Sequence, residues 1–471
     1  MRLPFLNRAR ELERLKRALA SREGSFCCLY GRRRCGKSRL LRELLGSHTG
    51  VYYVGDRREA NLQRAAVAEA VADLLSGFAD VNYPDWEPLL HRWWTSAPSG
   101  AVLVFDEFPA MVEASPELPS LLQKLVDAHA ARPVHLVIAG SSKRLMQGLV
   151  LDQSEPLFGR AREILKIDAL DISWLPRALP VATAVEALEA YAAWGGVPRY
   201  WELAGDFADF WQALESLVLD PLGVLHHEPE RLLADDMRDV VQASSILALV
   251  GQGCHRLSEI GGRLGKPASS LTRPVQRLVH LGLLRRETPF GHSPRSSKST
   301  LYTLHDPFLA FWYRFVDPNR SRLGAGAVEA VLCDVRRDYP GHAGAIWERV
   351  VRAATPRLEI AQTSWNSADR WWGTGLDRQP LEIDVVAECV DRESLLVGEV
   401  KLQVTEGDLA RLAAELDHNT KRLPFAKDYA RVVKRIFVGS ITGNTPPPEG
   451  VVTAAELLSA ESPLTCGRSS A

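Results

Sequence analysis

Residues 31–38 read GRRRCGKS and match the pattern G-x-x-x-x-G-K-[ST]. In such a loop, Gly31 and Gly36 let backbone N–H groups curl around phosphate oxygens. Lys37 then reaches the β- and γ-phosphates, and the Ser38 hydroxyl binds Mg²⁺. An apolar segment precedes the loop and an apolar helical pattern follows it, which is the context this chemistry requires. The stretch therefore predicts a site for the phosphates of a nucleotide and for Mg²⁺.

Two acids follow another apolar segment, AVLVFDEF at residues 101–108. Asp106 comes after four apolar residues, so we expect it at the C-terminal end of a strand, where it can hold Mg²⁺ through water. Glu107 beside it is placed to polarise an attacking water molecule. Ionised carboxylates avoid such strand ends unless a cation compensates them. The pair therefore favours catalysis over a solvated turn.

Three further motifs are less specific. In VIAGSS, Ser141 and Ser142 end a strand pattern, where a hydroxyl can sense the γ-phosphate or belong to a plain turn. In PLFGR, Arg160 can act as a finger on a neighbouring subunit's nucleotide, or form a surface salt bridge. The rigid bend WGGVPRYW at residues 194–201 can cap an adenine, or it can simply join two helices.

A second acidic group lies near the far end of the chain. SLLVGEVKLQ, residues 394–403, places Glu399 and Lys401 two residues apart, and hence on one face of a predicted strand. Asp384 lies on the preceding predicted strand, with 14 residues between it and Glu399, enough for a hairpin. Glu348 projects from a predicted helix upstream. Two carboxylates held together are costly without a cation, which favours a divalent metal here.

This constellation resembles the restriction-endonuclease-like PD-(D/E)xK nucleases. The resemblance implies that Asp384 and Glu399 share a divalent metal, normally Mg²⁺, while Lys401 orients or deprotonates the attacking water. Glu348 then completes that metal shell or a second one. Glu382 shares a face with Asp384 and either adds charge to the site or is solvated. Cleavage is not assured by the pattern, because members of this fold can lose catalysis and keep nucleic-acid binding.

The elements that must position these residues follow from the hydrophobic patterns. Up to residue 168, continuously apolar strands alternate with helical stretches, which predicts a parallel sheet covered on both faces. The pattern is helical from about 180 to 235. Residues 319–327, NRSRLGAGA, read as a linker or loop, and the remainder mixes helices and strands. We expect a P-loop core at 1–168, a helical lid at 169–238, a further domain at 239–318 and a nuclease-like α/β domain at 328–460.

The third of these domains resembles a winged helix, because three short helical stretches precede a strand, a polar loop and a strand. Its third stretch is the predicted recognition helix, and Pro274 within it places the helix start at about Ser270 to Arg273. Arg273 and Arg277 lie four apart on one face. The hairpin is locally basic, with Arg285, Arg286, Arg295 and Lys298. Such side chains can contact DNA phosphates, or the domain can serve protein packing alone.

The motifs FLNRARELERL, GRRRCGKS, VFDE, AGSS, PLFGR and GGVPRYW occur in the order found in prokaryotic and archaeal-type AAA+/STAND ATPases, which the whole chain resembles. The resemblance implies ATP as the nucleotide and places Asn7, Arg8 and Pro198 around its adenine. The fold class expected is α/β, with an AAA+-like P-loop core, a helical lid, a winged helix and a restriction-endonuclease-like C-terminal domain. Arg32, Arg33 and Arg34 depart from this pattern, because smaller residues are more usual there.

Composition adds little to function. The chain of 471 residues carries 57 Lys and Arg against 58 Asp and Glu, so any basic surface must be local. Its charged N-terminus has no apolar signal core, no run of about 18 apolar residues occurs, and its seven cysteines form no CxxC motif. We expect a cytoplasmic protein without a membrane span.

The motifs together favour an ATP-hydrolysing protein that engages DNA and carries a metal-dependent nuclease module, with a role in genome defence, mobile-element control or repair. A second hypothesis is a STAND-type switch that binds DNA or a partner protein through an inert C-terminal domain. A third is a ring motor, a homo-oligomer in which Arg160 acts between subunits.

Overall fold

The computed structural model describes residues 3–237, 239–293, 299–443 and 446–459. Within these ranges, five parallel strands form the first sheet in the order β2-β3-β4-β1-β5. Along β1, Cys27 and Leu29 enter the apolar cluster on one face, whereas Phe26 and Cys28 enter the cluster on the other. The predicted parallel sheet with two covered faces is confirmed. Its strands are β1 (Phe26–Tyr30), β2 (Gly50–Val54), β3 (Val102–Asp106), β4 (His135–Gly140) and β5 (Glu163–Lys166).

The connections of this sheet bring the phosphate-loop motifs to one edge. The loop 31–36 joins the end of β1 to the start of α2, while Asp106 ends β3 and Gly140 ends β4. Because parallel strands end at the same edge, their following residues meet there. The helices of this part are α1 (Ala9–Leu19), α2 (Lys37–Leu45), α3 (Ala60–Ala72), α4 (Trp86–Ser96), α5 (Phe108–Ala114), α6 (Leu118–Ala128) and α7 (Lys143–Leu151).

A group of short helices, here called the lid, follows the first sheet. It comprises α8 (Ala184–Trp194), α9 (Pro198–Ala204), α10 (Phe210–Leu214) and α11 (Glu228–Asp236). The Gly-Gly bend between α8 and α9 touches the chain leaving the sheet, because Leu170 N donates to Gly196 O over 2.7 Å. A Cβ at Gly196 would lie 2.0 Å from Leu170 O, so only glycine fits. Pro198 then starts α9 with its fixed φ.

Three helices and an antiparallel hairpin come next, in the predicted succession: α12 (Val240–Gly251), α13 (Leu257–Leu264), α14 (Ala268–Leu281), β6 (Leu284–Glu287) and β7 (Leu301–Leu304). The predicted start of α14 was wrong, since the helix begins at Ala268 and contains Pro274. Its buried residues Leu271, Val275 and Leu278 recur at helical spacing, and their packing carries the helix across the proline. Arg295 and Lys298 lie outside the described residues.

The linker predicted at 319–327 is largely helical. Leu323, 1% exposed, anchors a short helix there, and burial of this side chain overrides the glycine-rich composition. The helix predicted around GAIWERVV is also longer than expected: it is the 27-residue α17. The helices of this part are α15 (Pro307–Phe311), α16 (Arg320–Gly324) and α17 (Val328–Ala354).

The second five-stranded sheet of the described residues has the order β12-β11-β10-β9-β8. Its strands are β8 (Asp369–Thr374), β9 (Pro380–Glu388), β10 (Ser394–Thr405), β11 (Arg431–Thr442) and β12 (Val451–Thr453), with α18 (Glu406–Arg422) and α19 (Ala454–Ser459). As expected, β9 and β10 form an antiparallel hairpin, whereas β10 and β11 are parallel.

One apolar cluster extends from the first sheet to the second. It includes Leu29 of β1, Trp194 of the lid, Val335 of α17 and Val400 of β10. A separate cluster, with Val397 and Leu412, covers the opposite face of the second sheet. The two sheets are thus joined through a shared core. No helix in the described part of the chain is long and apolar enough to cross a membrane.

Candidate functional sites

The phosphate loop has the geometry that its motif predicts. Gly31 lies against the backbone, where a Cβ would be 2.2 Å from Ile167 O, and Gly36 has φ +93° at the N-cap of α2. The buried Lys37 donates from Nζ to Gly31 O over 2.7 Å and to Arg32 O over 3.1 Å. Burial lowers the pKa of Lys37, and the charge of Glu107 opposes that shift. A helix N-terminus with an ammonium group beside it fits a phosphate chain.

The acid side of this site is built around Asp106, which is 1% exposed. Its Oδ1 accepts from Glu107 N over 3.0 Å, and its Oδ2 accepts from the Tyr52 hydroxyl over 2.6 Å. The Ser38 hydroxyl also hydrogen-bonds Tyr52, so Ser38 and Asp106 are linked through it. Oxygen ligands of this kind fit Mg²⁺. The sequence analysis did not predict the role of Tyr52. The only signal was the pair of tyrosine hydroxyls, Tyr52 and Tyr53, in the otherwise apolar strand VYYV.

Glu107 and Ser141 meet as their predicted roles require. Glu107 Oε2 accepts from Ser141 Oγ over 2.9 Å and from Ser141 N over 3.3 Å. Glu107 itself has φ +52°, a left-handed conformation that a non-glycine residue adopts at a cost and that clusters at active sites. Both residues line a cavity of about 420 Å³ together with Arg33. The arrangement places a base and a hydroxyl donor at one opening.

On the other side of the loop, Arg8 and Pro198 line a small cavity of about 30 Å³ with Cys35 and Gly36. Arg8 is buried, and its guanidinium donates to Cys35 O over 3.3 Å and to Asp168 O. Asn7 is not among the lining residues, although its neighbours are. The predicted adenine-side residues Arg8 and Pro198 are therefore brought together beside the loop.

Two of the three loop arginines are held by acids from distant parts of the chain. Arg32 pairs with Asp306, which is 6% exposed, and donates to the Tyr200 hydroxyl over 3.0 Å. Burial lowers the pKa of the Arg32 guanidinium, but the charge and hydrogen bond of Asp306, together with Tyr200 and Cys35, outweigh burial and raise this pKa.

Arg34 Nη1 lies 2.7 Å from the buried Glu228 Oε2, without the alignment of a hydrogen bond, so this contact is ionic. Glu228 Oε1 accepts from the Tyr200 hydroxyl over 2.9 Å, which joins the two pairs. These partners were not predicted from the sequence.

Arg160 makes contacts within its own chain. Its Nη2 lies 2.9 Å from Asp127 Oδ2, its Nε also donates to that carboxylate, and the side chain is 29% exposed. This is the surface salt bridge that the sequence left open beside the finger role. An action on a neighbouring subunit stays a prediction.

The second acidic group lies where β9, β10 and α17 meet. Asp384 Oδ2 accepts from Val400 N over 2.9 Å, which fixes this carboxylate beside β10. Lys401 Nζ lies 2.6 Å from Glu399 Oε1. From α17, Arg352 donates to Asp384 O over 2.8 Å, and its Nη1 lies 3.5 Å from Glu348 Oε2. The four predicted residues thus come from adjoining elements.

The charges of this group act on one another. Burial, and then the charge of Asp384, raise the pKa of Glu348 to about 7. Burial likewise raises the pKa of Asp384, and burial with Asp384 raises that of Glu399. Burial lowers the pKa of Lys401, but the hydrogen bond to Glu399 and the charges of the neighbouring carboxylates together outweigh burial and raise this pKa. Carboxylates that resist ionisation together fit a bound cation.

The predicted role of Glu348, to complete the metal shell of Asp384 and Glu399 or a second one, stays a prediction. In the described ranges, no three His, Cys, Asp or Glu side chains are grouped so as to hold a metal ion. Glu348 lies 3.5 Å from Arg352, and Glu399 lies 2.6 Å from Lys401, so each of these acids has a cationic partner. Because Mg²⁺ keeps several waters and needs only one or two carboxylates, Asp384 and Glu399 still fit it.

A groove of about 810 Å³ runs between the hairpin region and the second sheet. Its walls carry more arginines than acids, and one of its aromatic residues, Trp372, lies under Arg370 at 4.8 Å. Glu348 is part of the same wall, so the groove reaches the acidic group. Charged residues of the lining are Arg256, Arg314, Arg349, Arg352 and Arg370 with Glu287, Glu348 and Glu382.

Helix α14 contacts the P-loop part of the chain. His280 Nε2 lies 2.7 Å from Gln147 Oε1 of α7, and Arg277 donates to Asp236 O over 3.5 Å. Ser142 Oγ in turn hydrogen-bonds Asp236 Oδ1 over 3.0 Å. Arg273, one turn earlier on α14, is exposed. The strand end predicted to sense the γ-phosphate is thereby connected to α14.

Comparison with known proteins supports nucleotide binding at the phosphate loop. Residues 5–202 match the model of a family described as an ATPase domain predominantly from Archaea, and residues 312–412 match a family of archaeal and bacterial proteins of unknown function. Together with the loop and acid geometry, the match to the ATPase domain makes this protein a P-loop ATPase.

The alignments with similar proteins cover much of the chain. An uncharacterized protein of Methanocaldococcus jannaschii is 28% identical over 443 residues, 92% of this chain and 96% of that protein. The Walker-type ATPase PABY2304 of Pyrococcus abyssi has a TM-score of 0.52 at 19% identity, covering 66% of this chain and 96% of its own. The ORC2 protein of Aeropyrum pernix in ADPNP–ADP complexes has a TM-score of 0.44 at 14% identity, covering 71% and 97%.

Proposed function

We propose that this ATPase engages DNA and carries a Mg²⁺-dependent nuclease. Residues 239–318 are the winged helix and residues 328–460 the restriction-endonuclease-like domain, beside a core at 1–168 and a lid at 169–238. The observation that carries the proposal is the juxtaposition of Asp384, Glu399 and Lys401 across the β9–β10 hairpin, with the Asp384 carboxylate fixed by Val400 N. Genome defence, mobile-element control and repair are roles that suit such an activity.

Each residue of the acidic group would have its own role in phosphodiester cleavage. Asp384 and Glu399 would hold Mg²⁺, which supplies positive charge to the scissile phosphate. Lys401 orients the attacking water and offsets the charge that develops on the phosphate oxygens. Glu348, whose pKa of about 7 keeps it partly protonated near neutrality, can take a proton or complete the cation's surroundings. Lys401 Nζ lies 2.6 Å from Glu399 Oε1, so the lysine and a bound cation would share this carboxylate.

DNA engagement rests on two features of the middle of the chain. Arg273 of α14 and Arg286 of β6 are exposed cations on the proposed winged helix, and such groups hold phosphates without reading sequence. The arginine-rich groove then leads from the hairpin region to Glu348. The two features support a nucleic-acid path that ends at the acidic group.

Cleavage of supercoiled plasmid in Mg²⁺ tests the proposal. Lys401→Ala should abolish nicking, while the matched control Lys434→Ala, an exposed lysine of β11 that pairs with Asp417, should cleave like the wild type. Glu107→Gln, assayed with and without ATP, shows whether hydrolysis is coupled to cleavage. Nicking that survives in Lys401→Ala, or that ignores Mg²⁺, would refute the assigned site.

A second candidate is an ATP-driven regulatory switch whose C-terminal domain binds without cutting. The absence of a three-ligand group in the described residues and the close Glu399–Lys401 pair favour it. It predicts no nicking under any nucleotide condition, with Lys401→Ala indistinguishable from the wild type. Retained DNA binding in a gel-shift assay, lost in Arg273→Ala, would then identify the switch.

A further inference from the structure

Three consecutive arginines in the phosphate loop have different environments. Arg32 pairs with Asp306, and Arg34 pairs with Glu228. Arg33 between them is exposed and lines the cavity of about 420 Å³ that also contains Glu107 and Ser141. The guanidinium therefore lies among the residues assigned to the γ-phosphate and its attacking water.

The flanking residues hold the loop in this conformation. Arg34 has φ +68°, a left-handed conformation that is strained for a non-glycine residue and persists only where its surroundings fix it. Its ion pair with Glu228, which is 1% exposed, provides that constraint. On the other side, Arg32 is held by Asp306 and Tyr200. Arg33 is thus presented to the cavity from a backbone fixed at both ends.

We propose that Arg33 is a catalytic residue of ATP hydrolysis that acts within its own chain. The water oxygen attacks the γ-phosphorus, the bond to the β–γ bridging oxygen breaks, and Glu107 accepts the proton of the water. Negative charge builds on the γ-phosphoryl oxygens and the leaving ADP oxygen, and the Arg33 guanidinium neutralises it. Phosphoryl transfer depends on such charge stabilisation, and an arginine can supply it in cis or in trans.

Other arginines near the site are placed less well for this role. Arg57 also lines the cavity, but its side chain is 86% exposed and its Nε lies 3.9 Å from Glu113. Arg160 is not among the residues that line this cavity. The forked guanidinium of Arg33 can bind two phosphoryl oxygens at once, which a lysine cannot do equally well.

The test compares Arg33→Ala, Arg33→Lys and the control Arg17→Ala, which removes an exposed arginine that pairs with Glu13 on α1, outside the cavity lining. We expect kcat of Arg33→Ala to fall about 100-fold, with partial recovery in Arg33→Lys and no change in Arg17→Ala. ADP affinity, measured by calorimetry, should change less than about threefold. Affinity for ADP–aluminium fluoride, which mimics the transferring phosphoryl group, should fall about as much as kcat.

The proposal would be overturned by a kcat for Arg33→Ala within twofold of the wild type. An equal loss of ADP and ADP–aluminium fluoride affinity would also overturn it, because that marks a structural or ground-state role. Mixing Arg33→Ala with Glu107→Gln protein separates action in cis from action in trans. Activity restored by mixing would refute the cis assignment, and activity that stays low supports it.

Discussion

Removal of the Asp306 carboxylate should destabilise the protein severely. Asp306 is 6% exposed, pairs with Arg32, and caps α15 by accepting from Leu309 N over 2.9 Å through its other oxygen. Loss of an N-cap costs about 1 kcal/mol, and loss of one partner of a buried ion pair costs about 3–5 kcal/mol. We therefore expect Asp306→Ala to lower the free energy of unfolding by about 4–6 kcal/mol. Asp306→Asn keeps a capping oxygen and should lose only the ionic part.

Urea unfolding followed by tryptophan fluorescence measures these losses, with hydrogen exchange of the phosphate loop reporting the local effect. Asp209→Ala is the matched control, because Asp209 is an exposed N-cap that accepts from Gln212 N over 2.9 Å. It should cost about 1 kcal/mol. The double variant Arg32→Met with Asp306→Asn completes a cycle, and it should be more stable than the sum of the single losses by about 2–3 kcal/mol.

Two results would refute this reasoning. One is a loss below about 1 kcal/mol for Asp306→Asn, which would mean that water replaces the carboxylate at no cost. The other is additivity of the two single variants, since independent losses mean that Arg32 and Asp306 do not stabilise each other.

Three further predictions concern other residues. Glu107→Gln should lower the rate of phosphate release about 100- to 1,000-fold with ATP binding retained in a fluorescent-nucleotide titration, and an unchanged rate would exclude Glu107 as the base. Tyr52→Phe removes a hydrogen bond to the Asp106 carboxylate and should cost about 1–2 kcal/mol in thermal unfolding, whereas an unchanged midpoint would mean the bond is not formed. His342 is buried, and burial lowers its pKa to about 4. The unfolded chain therefore takes up a proton as pH falls below about 6.5 while the folded protein does not, so stability should drop by about 2 kcal/mol between pH 7 and pH 5. His342→Gln should lose that part of the drop in urea titrations, and an identical pH slope would contradict the assignment.

The placement of the candidate site residues was largely predictable, because short motifs fix their local geometry. Gly36, Lys37 and Asp106 follow from a strand–loop–helix pattern and a strand end, and parallel strands bring such ends together whatever the rest of the chain does. Asp384, Glu399 and Lys401 follow from the period of two in a hairpin. Contacts set by neighbours in sequence were therefore accessible without a structure.

Contacts set by distant partners were not accessible. Arg32 and Asp306 are 274 positions apart, and many acids in the chain could have served equally well on composition alone. Pro274 and the glycine-rich stretch at 319–327 misled the helix assignments, because burial of Leu271 and Leu323 outweighs local propensity. The contact of Arg352 with Glu348 was missed for a related reason. From the sequence alone, an arginine in a long helix is expected to be exposed to solvent, and only its distant neighbours in the fold bury it.

Helix α17 has a mechanical consequence for the molecule. Its Tyr339 hydroxyl donates to Glu189 O, and His342 Nε2 hydrogen-bonds Ala192 O over 2.8 Å, so the middle of α17 is fastened to α8 of the lid. Glu348 follows six residues later, about 9 Å along the axis. An α-helix is stiff over such a distance, so a movement of the lid would displace the Glu348 carboxylate by a similar amount. Helix α17 therefore couples the position of the lid to the acidic group of the second sheet.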